Sequence, residues 1–94
     1  MNKVYLDGRK MDNPAQAHSY LQESMDFAGY YGENLDSLWD ELTSIGSPIT
    51  VKLLYKGEML ENLGDYGKKL LDTFREASEE NPHLVLKERN WRFF

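Results

Sequence analysis

The spacing of hydrophobic positions changes several times along this chain, and each change marks an element. Lys3-Val4-Tyr5-Leu6 is a short β-forming run closed by Asp7-Gly8, a pair that favours a turn, and predicts a first strand. Asn13-Pro14 supplies a cap followed by proline at the first helical position. Ala17, Tyr20, Leu21 and Ser24 or Met25 then recur on one face, which predicts a helix to Met25. Phe27-Ala28-Gly29-Tyr30-Tyr31-Gly32 follows neither period. Its two glycines and three aromatics make a loop whose rings either pack beneath it or face a partner. Asn34 caps a second helix, with Leu35, Leu38 and Leu42 on one inward stripe, and residues 44–48 end it.

The second half repeats the alternation. Ile49-Thr50-Val51-Lys52-Leu53-Leu54-Tyr55 has the β-branched, largely apolar character of an inner strand. Residues 56–64 read as a loop with a helical turn. Tyr66, Leu70, Leu71, Phe74 and Ala77 mark an amphipathic helix to about Glu80, Asn81-Pro82 stops it, and Leu84-Val85-Leu86 supplies a third strand. Strands separated by helices imply right-handed crossovers onto a small parallel sheet, so the fold class is α/β. Trp91, Phe93 and Phe94 come after the last element the core requires. Either they fold back over an uncovered patch, the preferred reading, or they form a basic, aromatic tail for a second partner.

Composition narrows what such a fold can do. The chain has 94 residues and 40% hydrophobic content, enough for one core, which predicts a single domain over residues 1–88 with residues 89–94 as its extension. With no cysteine, disulfides, thiolate metal sites and thiol catalysis are excluded together. No apolar run at the start suggests a signal peptide and none later suggests a membrane span, so a cytoplasmic protein is expected. The net charge of -5 is ordinary, but its distribution is not. No Lys or Arg occurs in residues 11–51, where Asp12, Glu23, Asp26, Glu33, Asp36, Asp40 and Glu41 all fall. A solvated acidic face is the plain explanation. Nucleic acid is not an expected partner, because phosphate binding needs clustered cations.

On the second helix Asp36 and Asp40 share a face, Thr43 lies near the end of that stripe, and Trp39 projects between it and the leucines. Acid/base hydrolysis would need two acids in different environments across a cleft, which one exposed helical face does not provide. No calcium-loop alternation occurs, and neither His18 nor His83 has a partner at ligand spacing. Both histidines read as surface or boundary residues, and no catalytic residue, metal site or cofactor is predicted. Tyr30, Tyr31 and Trp39 beside Asp36 and Asp40 instead suit a protein-binding epitope, with aromatic anchors ringed by charges that steer a basic partner.

The run Tyr30-Tyr31-Gly32-Glu33-Asn34-Leu35-Asp36-Ser37-Leu38-Trp39-Asp40-Glu41-Leu42-Thr43 resembles the signature of the barstar family, intracellular inhibitors of the bacterial ribonuclease barnase. Phe74-Arg75-Glu76-Ala77 resembles a second block, and the order of elements agrees over residues 3–86. The resemblance implies a three-stranded parallel sheet packed with about four helices, inhibition without catalysis, and a partner that is a secreted or toxin ribonuclease of the barnase type. It implies a contact surface of Tyr30, Tyr31, Gly32, Asn34, Leu35, Asp36, Trp39, Asp40, Thr43 and Glu76. Within it Asp40 would stand in for RNA phosphate, Asp36 would meet neighbouring cations, Tyr30 would cover the catalytic histidine region and Glu76 would reach across from the last helix. The free inhibitor is expected to be monomeric. A scaffold reused to bind another basic protein is the alternative, with a carboxylate-dependent hydrolase a distant third. Two departures stand out: Ser44-Ile45-Gly46 where the family often has an aromatic residue, and a C-terminal segment from Arg89 that exceeds the expected pattern.

Overall fold

A computed structural model describes residues 2–27 and 29–89 of the chain. Trp91, Phe93 and Phe94, and with them the choice between a folded-back cover and a binding tail, lie outside the described residues. Three strands, β1 (Asn2–Asp7), β2 (Ile49–Leu54) and β3 (Leu84–Glu88), form one parallel sheet in the order β1-β2-β3. Four helices, α1 (Pro14–Met25), α2 (Leu35–Thr43), α3 (Lys56–Leu63) and α4 (Asp65–Glu80), fill the two crossovers. This is the α/β architecture expected from the alternation of patterns.

Two right-handed crossovers that step the same way across a sheet deliver both helical segments to one face. The burial pattern agrees. Register aligns Val4 with Val51 and Leu86, and Leu6 with Leu53, on the side where Leu6, Val51 and Leu53 are buried. On the other side Tyr5 aligns with Lys52 and Lys87, and Lys3, Tyr5, Val85 and Lys87 are exposed. The outer strands can therefore alternate polar and apolar residues, although a parallel sheet covered on both faces could not. Leu21 of α1, Leu38 and Leu42 of α2, Met59 of α3 and Leu70 of α4 meet in one core with Leu6 and Val51.

Residues 56–64 differ from expectation, since most of them form a true helix. Tyr55 takes the left-handed conformation (φ 55°), turning the chain straight from β2 into α3, and Met59 and Leu63, one turn apart, both reach the core. The short spacing of this amphipathic pattern, two core residues in eight, left little periodicity to read. Strand β3 also runs on to Glu88, whose carboxylate is held by Arg75 of α4 (2.8 Å) and Lys56 of α3 (3.2 Å). Among the described residues no helix is long and apolar enough to cross a membrane.

Candidate functional site

Helix α2 owes its start to Asn34, whose Oδ1 accepts a hydrogen bond from the Ser37 amide at 2.8 Å while its Nδ2 donates to the Gly32 carbonyl at 3.2 Å. Asn34 thus satisfies one of the orphan amides of the first turn and ties the preceding loop to it. A Cβ at Gly32 would collide with Ser37 Oγ, so any side chain there would force that hydroxyl to turn away. Glu33 between them is held in the left-handed region (φ 54°), at a cost of roughly 1–2 kcal/mol for a residue with a side chain. The loop is therefore locked to the helix rather than loosely attached.

From that start, Leu38 and Leu42 turn fully inward and Leu35 and Trp39 are half-buried against the core. Asp36 and Asp40 remain exposed on the outer face, and Thr43 donates from Oγ1 to the Trp39 carbonyl at 2.7 Å. The ion pairs among the described residues join Arg9 to Asp7, Lys56 to Glu88, Lys68 to Asp65, and Arg75 to Asp72 and Glu88. None of them reaches Asp36 or Asp40. The two carboxylates repel one another at i,i+4 by ~0.2–0.5 kcal/mol, offset at Asp36 by the positive end of the helix. Glu76 is exposed on α4, the helix against which α2 packs.

The other end of α2 is clamped by Asn81, whose place before Pro82 predicts only a helix stop. Asn81 is buried. Its Nδ2 donates to the Leu42 and Ile45 carbonyls, both at 2.9 Å, and its Oδ1 accepts from the His83 amide at 3.0 Å. One side chain after α4 therefore satisfies the last turn of α2 and fixes the pose of the acidic face relative to Glu76's helix.

The loop divides its aromatics. Tyr30 is 87% exposed, whereas Phe27 and Tyr31 are buried, with ring centroids 4.9 Å apart. Tyr31 thus differs from the expectation that both tyrosines face a partner: it props the loop from below. The expectation for His18 is overturned outright, since it is only 1% exposed. Its Nδ1 lies 2.6 Å from the Tyr31 hydroxyl and its Nε2 2.6 Å from the Tyr66 hydroxyl. Neutral imidazole suits this position, donating through one nitrogen and accepting through the other. Burial lowers the His18 pKa, against a smaller opposite pull from Glu33, and burial likewise raises those of Tyr31 and Tyr66. His18 stands one position after Ala17 and three before Leu21, so the helical stripe already contained the signal. His83 is exposed. Among the described residues no group of acids and histidines could hold a metal ion.

Comparison with known proteins identifies the family of the chain. The family model described as Barstar (barnase inhibitor) matches residues 1–92, past Arg89, where the family pattern was expected to end. A protein of Bacillus subtilis (strain 168), YrdF, named as a candidate ribonuclease inhibitor, is 41% identical over 83 residues, covering 85% of this chain and 89% of that protein.

Proposed function

Because the chain belongs to the barstar family, we propose that it inhibits a ribonuclease, acting as a plug for a basic active site and not as a catalyst. The observation that carries this reading is the exposed Asp36 and Asp40 pair, which meets no cation among the described residues and sits on a helix fixed at both ends. A rigid anionic surface binds a cationic site without first losing the entropy of ordering it. Asp40 takes the place of an RNA phosphate among the partner's Arg, Lys and His groups, with Asp36 meeting cations beside them. Tyr30 supplies the exposed ring that covers the catalytic histidine region. Trp39, Thr43, Asn34, Leu35 and Gly32 shape the contact, Tyr31 supports it from beneath, and Glu76 adds a charge from α4.

The partner is a secreted or toxin ribonuclease of the barnase type, and the inhibitor is a cytoplasmic monomer that protects the cell making that enzyme. The name carried by the Bacillus relative supports ribonuclease inhibition. Opposite charges on the two proteins make encounter fast and salt-sensitive, an effect for which barnase and barstar are themselves a standard example.

The test is titration of the protein into barnase-type ribonucleases, following RNA cleavage at low and high salt, with Asp40→Ala alongside. Inhibition is expected at low salt. Asp40→Ala should lose at least ~2 kcal/mol of binding, about thirtyfold in Kd, the threshold for a dominant interface residue, in a scale to which barstar itself contributed. Equal inhibition by Asp40→Ala, or none by the unaltered protein, refutes the proposal. Binding to a basic protein that is no nuclease would instead favour the reused scaffold.

A further inference from the structure

Beside the acidic face, where α1 ends, lies a groove that the family resemblance did not include. Asp26 takes the left-handed conformation (φ 56°) and ends α1. Met25, Phe27, Ile45 and Ile49 line a depression of about 260 Å3 together with Asp26, Glu41 and Ser44. That volume falls short of the ~300–1,000 Å3 typical of small-molecule sites, yet it accommodates a single long side chain.

The chemistry of the lining selects the occupant. Ser44 Oγ is already committed, donating to the Asp40 carbonyl at 2.6 Å. The carboxylates of Asp26 and Glu41 take part in no ion pair among the described residues. The C-terminal end of α2 adds partial negative charge at the same place. Hydrocarbon side chains beside two carboxylates fit a Lys or Arg side chain, whose methylene stem packs on the hydrocarbon while its head stays with the carboxylates. At ~100° per residue, Glu41 follows Asp40 round α2 on the side away from Trp39, so the groove continues the acidic face and forms its flank.

We propose that this groove is a specificity subsite for one Lys or Arg side chain of the same basic partner that Asp36 and Asp40 engage. The inference rests on the inhibitory reading of that face. It makes Asp26, Glu41 and Ile45 partner-selecting residues, outside the contact set that the sequence resemblance supplied.

The test compares the unaltered protein, the double variant Asp26→Asn with Glu41→Gln, and Asp40→Ala, against the barnase-type ribonuclease inhibited most tightly. Asn tolerates the left-handed conformation at position 26 and Gln preserves the shape at 41, so neither change threatens the fold. The double variant should raise Kd about tenfold or more and make its salt dependence shallower. Alanine substitution of one particular Lys or Arg on the ribonuclease should weaken binding of the unaltered inhibitor but not of the double variant. A double variant within twofold of the unaltered protein, while Asp40→Ala is weak, overturns the groove and leaves the acidic-face reading standing. If Asp40→Ala is neutral as well, or no ribonuclease is bound, both fall.

Discussion

Replacing Asn81 by alanine should disconnect the acidic helix from the body of the protein, and its three hydrogen bonds set the scale. The bond to the Leu42 carbonyl is buried, and those involving the Ile45 carbonyl and the His83 amide are partly so. An unsatisfied buried carbonyl costs ~1–3 kcal/mol, and each partly wet bond ~0.5–1 kcal/mol because water can replace the lost partner. Asn81→Ala should therefore destabilise the fold by ~2–5 kcal/mol, or ~10–25 °C in Tm for a domain of this size. Asn81→Asp should be worse, since it keeps the acceptor for His83 but presents a buried charge to two carbonyl oxygens. Urea denaturation measures both, and a lowered midpoint with unchanged slope is expected. A loss under ~0.5 kcal/mol for alanine, or an aspartate variant as stable as the original, would refute the clamp.

Other substitutions separate roles that lie side by side. Tyr30→Ala should leave the urea midpoint unchanged but weaken inhibition, whereas Tyr31→Phe should cost ~1–3 kcal/mol of stability by stranding the His18 Nδ1. His18, held below its ordinary pKa by burial, binds a proton more readily in the unfolded chain, so stability should fall as pH drops below about 6.5. Urea midpoints between pH 7.5 and 5.5 should show this decline, and His18→Gln should flatten it. Glu88, brought down to about 2 chiefly by Arg75 and then Lys56, adds stability that is complete above its ordinary value of 4.5 and is lost as pH falls from there towards 2. Glu88→Gln should cost ~1–2 kcal/mol at pH 7, discounted because Arg75 is half exposed, and should remove that acid limb from the stability profile.

What could be read from the sequence follows from how local each signal is. Caps and stripes are local: Asn13, Asn34 and the leucines of α2 announced their helices, and the separation of Leu38 and Leu42 from Asp36 and Asp40 was legible within nine residues. Charge was legible too, since the absence of Lys and Arg from residues 11–51 needs only counting. Long-range pairings were not legible. Asn81 reaches residues 36 and 39 positions away, and Tyr66 meets His18 from 48 away, so neither partner appears in any short window. The inward turn of Tyr31 was one of two possibilities the loop composition left open, and only its ring contacts with Phe27 and His18 decide between them. The groove at Ile45 needed three separate segments to be brought together.

The strand order also bears on how quickly the protein can become useful after synthesis. Asn2 pairs with Ile49, so joining the first two strands closes a loop of roughly fifty residues, at an entropic cost of ~3 kcal/mol before any sheet contact repays it. The whole of α2 lies inside that loop, and the side chain that clamps its far end arrives only with α4. A nascent chain therefore lacks the Asn81 clamp on its acidic helix until most of the protein has been made. Non-local parallel pairing slows folding relative to a helical bundle of equal length.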